Sequence, residues 1–266
     1  MTRIVFLALA AWLLTGCAST VTPAPTTAST ELPSAAGAQP DRERLSRVRL
    51  ELATAYFGQG RYDTALQEVN QAIAARPDLG AAYSLRGLIK AAQRDPQGAE
   101  ASFREALRIN PRDADTAHNF GWFLCQQRRY AEADAQFEAA IAQPTYQAVP
   151  RTLMAQGVCH ARNDRLTDAQ RRLLLALEQE PGNPAIALNL AEVMYRSGEY
   201  EQARFYIRRV NATDAYITAQ TLWLAARIEH KMGRFDLIEP FGDQLRQRFP
   251  QAPETLWLEQ GRWDAP

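Results

Sequence analysis

The sequence predicts an all-α fold, a right-handed superhelix of six helix-turn-helix repeats, and three observations lead to this prediction. Small residues recur at intervals of 34 to 36 residues from Ala53 to Ala225. Each is followed twelve residues later by a second apolar residue, usually alanine, and sixteen residues later by a large apolar residue. Proline recurs near the end of most units, where it stops a helix because it has no amide donor.

The repeat unit can be placed in all six copies. Its small residue lets the first helix (helix A) approach the second (helix B). The residue twelve positions later lies on helix B at the same crossing, and the large apolar residue fills the space beside it. The three positions hold Ala53, Ala65 and Val69; Gly87, Ala99 and Phe103; Gly121, Ala133 and Phe137; Gly157, Ala169 and Leu173; Ala191, Ala203 and Ile207; and Ala225, Leu237 and Phe241.

This pattern matches the tetratricopeptide repeat. It predicts a repeat domain over residues 44–251 and a short capping helix or tail over residues 252–266. Asp63, Thr167 and Asp236 stand where B helices begin, and we expect their side-chain oxygens to accept hydrogen bonds from unpaired amide groups there.

The N-terminal residues carry the signals that indicate where in the cell the protein is located. Arg3 precedes the apolar run Ile4–Leu14, which as a helix would rise about 16 Å and is too short to span a bilayer of roughly 30 Å. The run ends in Leu-Thr-Gly-Cys, which resembles the lipobox of bacterial lipoproteins and predicts lipidation of Cys17. Residues 1–16 are then a removed signal peptide and residues 17–43 the lipidated cysteine with a flexible tether. The alternatives are an ordinary secretory signal and a misplaced start.

The tether and the residue after Cys17 refine this prediction. Of the 23 residues from Ala18 to Pro40, 18 are alanine, serine, threonine or proline, so the segment cannot bury a core. As a coil it would span about 25 to 30 Å. Alanine rather than aspartate follows Cys17, which by resemblance to enterobacterial sorting implies the outer membrane, with the protein facing the periplasm. The bilayer is therefore one expected partner, reached through acylated Cys17.

The other two cysteines, Cys125 and Cys159, lie 34 residues apart on adjacent A helices. Similar positions on neighbouring packed helices can bring such side chains together. If the Cα atoms lie within about 6 to 7 Å, an oxidising periplasm would join them, and we predict a disulfide. Two buried free thiols are the alternative.

The A helices of such an array expose a concave face, which in the repeat family binds peptides or helices of partner proteins. In units five and six this face is predicted to be more polar, with Asn189, Glu192, Tyr195, Arg196, Trp223 and Glu229. In the first four units it forms a predicted apolar groove, whose residues would either be exposed to a partner or be covered by neighbouring helices. The predicted contact residues are Leu50, Phe57, Leu85, Leu88, Trp122, Met154 and Val158.

Composition and motifs argue against other functions. The 30 basic and 30 acidic residues leave no net field to bind nucleic acid. Three cysteines and three histidines are too few for a disulfide framework, and a zinc site would need nearly all of them brought together. A Gly-rich phosphate loop, a nucleophile elbow and a His-Glu-x-x-His motif are absent from the sequence. We therefore predict no enzyme activity, catalytic residue, cofactor, metal or small-molecule substrate. His118, the one histidine considered for chemistry, is predicted to be a polar residue of the groove.

The third unit carries the most specific resemblance. Its stretch Asn119–Cys125 reads Asn-Phe-Gly-Trp-Phe-Leu-Cys, and a second cysteine follows in unit four. With the lipobox and six repeats, this resembles the PilF/PilW family of type IV pilus biogenesis lipoproteins. The resemblance implies a pilotin that helps the outer-membrane secretin of the pilus to localise or assemble. Two alternatives remain: a repeat scaffold that recruits peptidoglycan enzymes, and a hydrolase whose site would include His118.

Overall fold

The computed structural model describes residues 35–265, with side chains from Asp41 onward, and this part of the chain contains thirteen α-helices and no β-strand. Residues 41 onward form one compact unit. The predicted signal peptide, Cys17 and the predicted tether up to Ser34, about two thirds of its length, lie outside the described residues. The first helix begins at Ala35, nine residues before the predicted repeat domain, within the segment that was predicted to be a flexible tether.

Consecutive helices pair as six hairpins, so the predicted all-α repeat fold is confirmed. In the sixth hairpin the 3-10 turn Phe235–Leu237 precedes the second helix. A thirteenth helix follows within the predicted C-terminal capping segment. The helices are α1 (Ala35–Gly58), α2 (Tyr62–Ala75), α3 (Gly80–Ala92), α4 (Pro96–Ile109), α5 (Ala114–Gln126), α6 (Tyr130–Ile141), α7 (Val149–Arg162), α8 (Leu166–Gln179), α9 (Pro184–Arg196), α10 (Tyr200–Asn211), α11 (Ala219–Lys231), α12 (Glu239–Arg248) and α13 (Pro253–Glu259).

Close approach of the two helices explains the small residue in each hairpin. A Cβ atom built on Gly87 would lie 2.8 Å from the ring of Phe103, and one built on Gly157 would lie 2.7 Å from Leu173 Cγ. Both large side chains are completely buried. The predicted pairing of a small residue on helix A with a large one on helix B is therefore confirmed.

The turns between helices A and B are tighter than predicted. Each contains one residue in the left-handed region, such as Gly60 at φ 73° or Arg94 at φ 61°. Helix B then begins almost at once, so Asp63 and Thr167 already lie inside α2 and α8, and Asp236 lies in a 3-10 turn. The prediction that these three residues cap helices is wrong. The side chains that do cap helix N-termini are Asp95, Asp113, Asn183 and Thr218.

The hydrophobic core runs between successive hairpins and ends in an aromatic cluster at the C-terminus. There Trp223 of α11 is 2% exposed and packs against Trp257 and Trp263, with ring centroids 6.1 and 5.4 Å away. The final helix and the residues after it thus cover the last unit. None of the helices in the described part of the chain is both long and apolar enough to cross a membrane.

Candidate partner-binding groove

A row of apolar side chains crosses the A helices of units two, three and four. Leu88 on α3, Trp122 on α5 and Val158 on α7 occupy the same position of their units, and all three are half-buried. Because equivalent positions of stacked repeats lie side by side, the three residues form a continuous row. This row is the centre of the candidate groove.

Six of the seven predicted groove residues lie at the boundary between core and surface, where part of each side chain packs inward and part remains accessible. Leu85 differs: it is only 8% exposed and belongs to the core of the first two units, so its prediction as a contact residue is not supported. Its position in the unit faces the neighbouring hairpin instead of solvent. The six half-buried residues are Leu50, Phe57, Leu88, Trp122, Met154 and Val158.

Trp122 has a charged neighbour that sequence reasoning missed. The guanidinium carbon of Arg162, at the end of α7, lies 4.9 Å from the centroid of the Trp122 ring. The Tyr130 hydroxyl donates a hydrogen bond of 3.4 Å to the Arg162 carbonyl, which ties the next hairpin turn to the same place. An arginine over an indole face is a favourable cation–π contact and presents an exposed positive charge beside an apolar surface. Arg162 occupies an inward-facing position of the repeat, and from this position its place in the groove could have been predicted.

The two cysteines of units three and four meet directly behind this row. The structure joins Cys125 and Cys159 by a disulfide, with a Cα–Cα distance of 5.8 Å. Both side chains are buried, at 1% and 4% exposed, in the core of units two to four. The bond therefore links α5 to α7 beneath Trp122.

His118 is not a groove residue, and its prediction as one is wrong. It is 6% exposed, its Nδ1 lies 2.8 Å from Thr152 Oγ1, and its ring packs edge-on against Phe137. Unit three is two residues longer than most others, and its loop places Tyr146 within 2.8 Å of the same hydroxyl. The longer loop thus completes a polar contact that encloses the imidazole.

The electrostatic setting of His118 is also unsuited to acid–base chemistry near neutral pH. Burial, and secondly the charge of Arg151, lowers the pKa of His118 to about 4. The ring is therefore neutral near pH 7, and its hydrogen-bond partner is a hydroxyl instead of a carboxylate. This arrangement weakens the hydrolase alternative.

A second buried polar cluster stabilises the next hairpin. Gln156, with no exposed area, donates hydrogen bonds from Nε2 to Asp134 at 2.6 Å and to Glu138 at 2.8 Å. His160 Nε2 lies 3.2 Å from Asp134, although burial still lowers its pKa. Arg172 contacts Glu138 from the following helix. These contacts join α7 to α6 and α6 to α8, and so fix the position of α7 between its two neighbours.

The groove does not continue into unit six. Trp223 and Glu229 of unit six, predicted to line a polar part of the concave face, are 2% and 3% exposed, and Tyr195 at the end of α9 in unit five is 7% exposed. Trp263 stacks on Trp223, and Glu229 accepts a 2.6 Å hydrogen bond from Arg204 Nε. The C-terminal residues therefore occupy the space where a partner would otherwise bind. Within residues 35–265, no three metal-ligating side chains come together.

Three tetratricopeptide-repeat family models match residues 50–114, 114–142 and 160–222. Together these matches cover more than half of the chain. The chain belongs to the tetratricopeptide-repeat family. Its hairpin geometry, with glycine against phenylalanine or leucine at the helix crossing, agrees with this assignment.

Among tetratricopeptide proteins, the chain is similar to the type IV pilus assembly protein PilF of Pseudomonas aeruginosa, with 25% identity over 80% of this chain and 84% of that protein. It is 30% identical to cellulose synthase operon protein C of Xanthomonas axonopodis pv. citri over 65% of this chain, but this covers only 12% of the larger protein.

Solved structures give the same result. The structure of PilW, described as a widely conserved type IV pilus biogenesis factor, matches with a TM-score of 0.76 and 27% identity over 80% of this chain and 98% of PilW. That of Pseudomonas aeruginosa PilF matches with a TM-score of 0.72 and 22% identity, covering 83% of this chain and 99% of PilF. The resemblance to the PilF/PilW family is therefore confirmed.

Proposed function

We propose that the protein is a type IV pilus biogenesis lipoprotein whose groove binds a segment of the pilus secretin. The observation that carries this proposal is the row of Leu88, Trp122 and Val158 with Arg162 beside it, an accessible apolar surface on a repeat fold that binds protein segments. Similarity to two type IV pilus proteins over about four fifths of the chain supports the choice of partner.

The mechanism combines targeting with binding. Lipidation of Cys17 would attach the protein to the outer membrane, and the 17 residues between Cys17 and α1 would, as a coil, give the folded domain a reach of about 20 to 25 Å. A secretin subunit held in the groove would then be concentrated at the bilayer where it assembles. The protein acts in this mechanism by holding its partner, without a chemical step.

The experiment is affinity capture of the tagged full-length protein from detergent-solubilised envelopes, with the secretin detected by immunoblot. The double substitution Leu88→Gln/Trp122→Gln is expected to abolish secretin capture, since it makes the centre of the groove polar. Phe235→Gln is the matched control, because Phe235 is 64% exposed and lies outside the groove. Thermal unfolding of both variants separates lost binding from lost folding.

A second variant tests the anchor. Cys17→Ala is expected to release the protein from the outer membrane and to reduce the amount of secretin multimers.

Secretin capture by the folded groove variant at the wild-type level would refute the binding site. Normal secretin multimers and piliation with Cys17→Ala would refute the role of the anchor.

A further inference from the structure

An exposed phenylalanine on unit five has no explanation in the repeat pattern. Phe205 of α10 is 57% exposed. On this helix the buried residues Ala203, Ile207 and Val210 face the core, and Phe205 lies about 140 to 160° away from them around the helix axis. The corresponding residues of the other units are Gln67, Ala101, Ala135, Arg171 and Glu239, none of them aromatic.

Two arginines share the exposed face of α10 with this ring. Arg208 and Arg209, three and four residues further along α10, share the outward face with Phe205 because of the helical period. The guanidinium carbon of Arg209 lies 5.6 Å from the centroid of the Phe205 ring, and Arg209 Nη2 donates a 3.3 Å hydrogen bond to the Pro181 carbonyl. Together with Ala212, Glu201 and Arg204, these three residues line a shallow depression of about 400 Å³.

The charges in this depression are not balanced. Arg204 is paired with the buried carboxylate of Glu229 at 2.6 Å, and Glu201 is paired with Arg234 at 2.8 Å. Among residues 41–265, neither Arg208 nor Arg209 has a carboxylate within ion-pair distance. Two positive charges without an ion-pair partner therefore stand one helical turn from an exposed aromatic ring.

We propose that this surface, defined by Phe205, Arg208 and Arg209, binds an acidic segment of a partner protein that carries an apolar side chain between carboxylates. The apolar side chain would cover Phe205, and the carboxylates would pair with the two guanidinium groups. The surface lies on the B helix of unit five and is separate from the groove. A second binding surface would let the protein hold two partners, or two parts of one partner, at the same time.

A short acidic segment fits this surface better than a uniformly anionic one. The arginine pair extends over a single turn of helix, and nearby stand the carboxylates of Glu201, 66% exposed, and Asp214, 86% exposed. Because both carboxylates are already paired with Arg234 and Arg248, the free positive charge is confined to Arg208 and Arg209, which suits two carboxylates better than the many phosphates of a lipid bilayer or a nucleic acid. A second exposed aromatic residue, Tyr216, lies beside Arg209 in an adjoining depression and extends the surface in one direction.

The test measures fluorescence anisotropy of a fluorescein-labelled peptide, acetyl-Glu-Glu-Phe-Glu-Glu-amide, with the full-length chain purified in detergent. Phe205→Gln and the double substitution Arg208→Gln/Arg209→Gln are each expected to weaken binding at least tenfold. Phe235→Gln, an equally exposed phenylalanine of unit six, is the matched control and is expected to leave binding unchanged. The reversed peptide, with lysine in place of glutamate, is expected to bind at least tenfold more weakly.

Circular dichroism establishes that each variant is folded, which is expected because all three substituted side chains are on the surface. The proposal is overturned if the wild-type chain does not bind the acidic peptide at millimolar concentration, or if the Phe205 and arginine variants bind it as the wild type does. Tighter binding to phosphatidylglycerol vesicles or to duplex DNA than to the peptide would also overturn it, in favour of a non-protein anion.

Discussion

The disulfide between Cys125 and Cys159 gives the sharpest stability prediction. The bond closes a loop of 34 residues. The chain-entropy relation for such a loop gives a stabilisation of about 4 kcal/mol at 25 °C, because the cross-link removes conformations from the unfolded chain. Replacing both cysteines by alanine should therefore lower the free energy of unfolding by about 4 kcal/mol, with a smaller addition from the two lost buried sulfur atoms.

The effect should be concentrated between units three and four. Repeat arrays are stabilised by contacts between neighbouring units, so breaking a link between α5 and α7 weakens one boundary first. Amide hydrogen exchange should therefore become faster in α5 to α8, whereas α2 and α11 should retain their protection. A uniform increase across all helices would indicate a different cause.

Three samples make the measurement: oxidised wild type, wild type with reductant, and the double alanine variant. Guanidinium unfolding followed by circular dichroism should give similar midpoints for the last two and a clearly higher midpoint for the first. The disulfide would be refuted if the denatured protein, prepared without its lipid and without reductant, showed two reactive thiols besides that of Cys17. A stability difference below about 1 kcal/mol would refute the loop-closure argument.

Three further predictions concern single side chains in unit three. Gly121→Ala should destabilise by about 1 to 3 kcal/mol in chemical unfolding, because the new Cβ would lie 2.9 Å from the Phe137 ring. Asp113→Ala should lower stability by about 1 kcal/mol in thermal unfolding, since it removes the 3.1 Å acceptor of the Thr116 amide. The pKa of His118 is about 4 in the folded protein and 6.5 ordinarily, so protonation of this residue favours the unfolded chain. The contribution of His118 to the free energy of unfolding is therefore complete above pH 6.5 and is lost as pH falls toward 4, by up to about 3 kcal/mol. The stability difference between wild type and His118→Gln should follow that pH dependence, and a constant difference would refute it.

The fold could be predicted because each unit repeats one physical constraint. A glycine at position 87 and a phenylalanine at position 103 are uninformative singly, but their recurrence at fixed spacing identifies a helix crossing. The cysteine pair could be predicted for the same reason, since a separation of 34 residues equals one unit and places Cys125 and Cys159 on adjacent A helices.

The burial of individual concave residues could not be predicted in this way. His118 occupies an inward-facing position, but a two-residue insertion places Tyr146 beside it and encloses it. Trp223 occupies another, but the chain beyond the last repeat returns to cover it. Both side chains are covered by segments that do not follow the repeat, so the repeat period could not predict their burial. The same limit applies to Phe205, whose exposed aromatic ring does not follow from the repeat pattern.

The closed sixth unit also limits what the groove can hold. The row from Leu88 to Val158 crosses two steps between neighbouring A helices, and packed helices lie about 8 to 10 Å apart, so the row is roughly 20 Å long. An extended segment covers that length with about six residues, at about 3.3 Å per residue, and an α-helix with about 13. Because the aromatic cluster around Trp223 blocks further extension at unit six, lengthening a bound peptide past Val158 should add affinity only through unit five. The number of residues at which affinity stops rising therefore distinguishes an extended partner from a helical one.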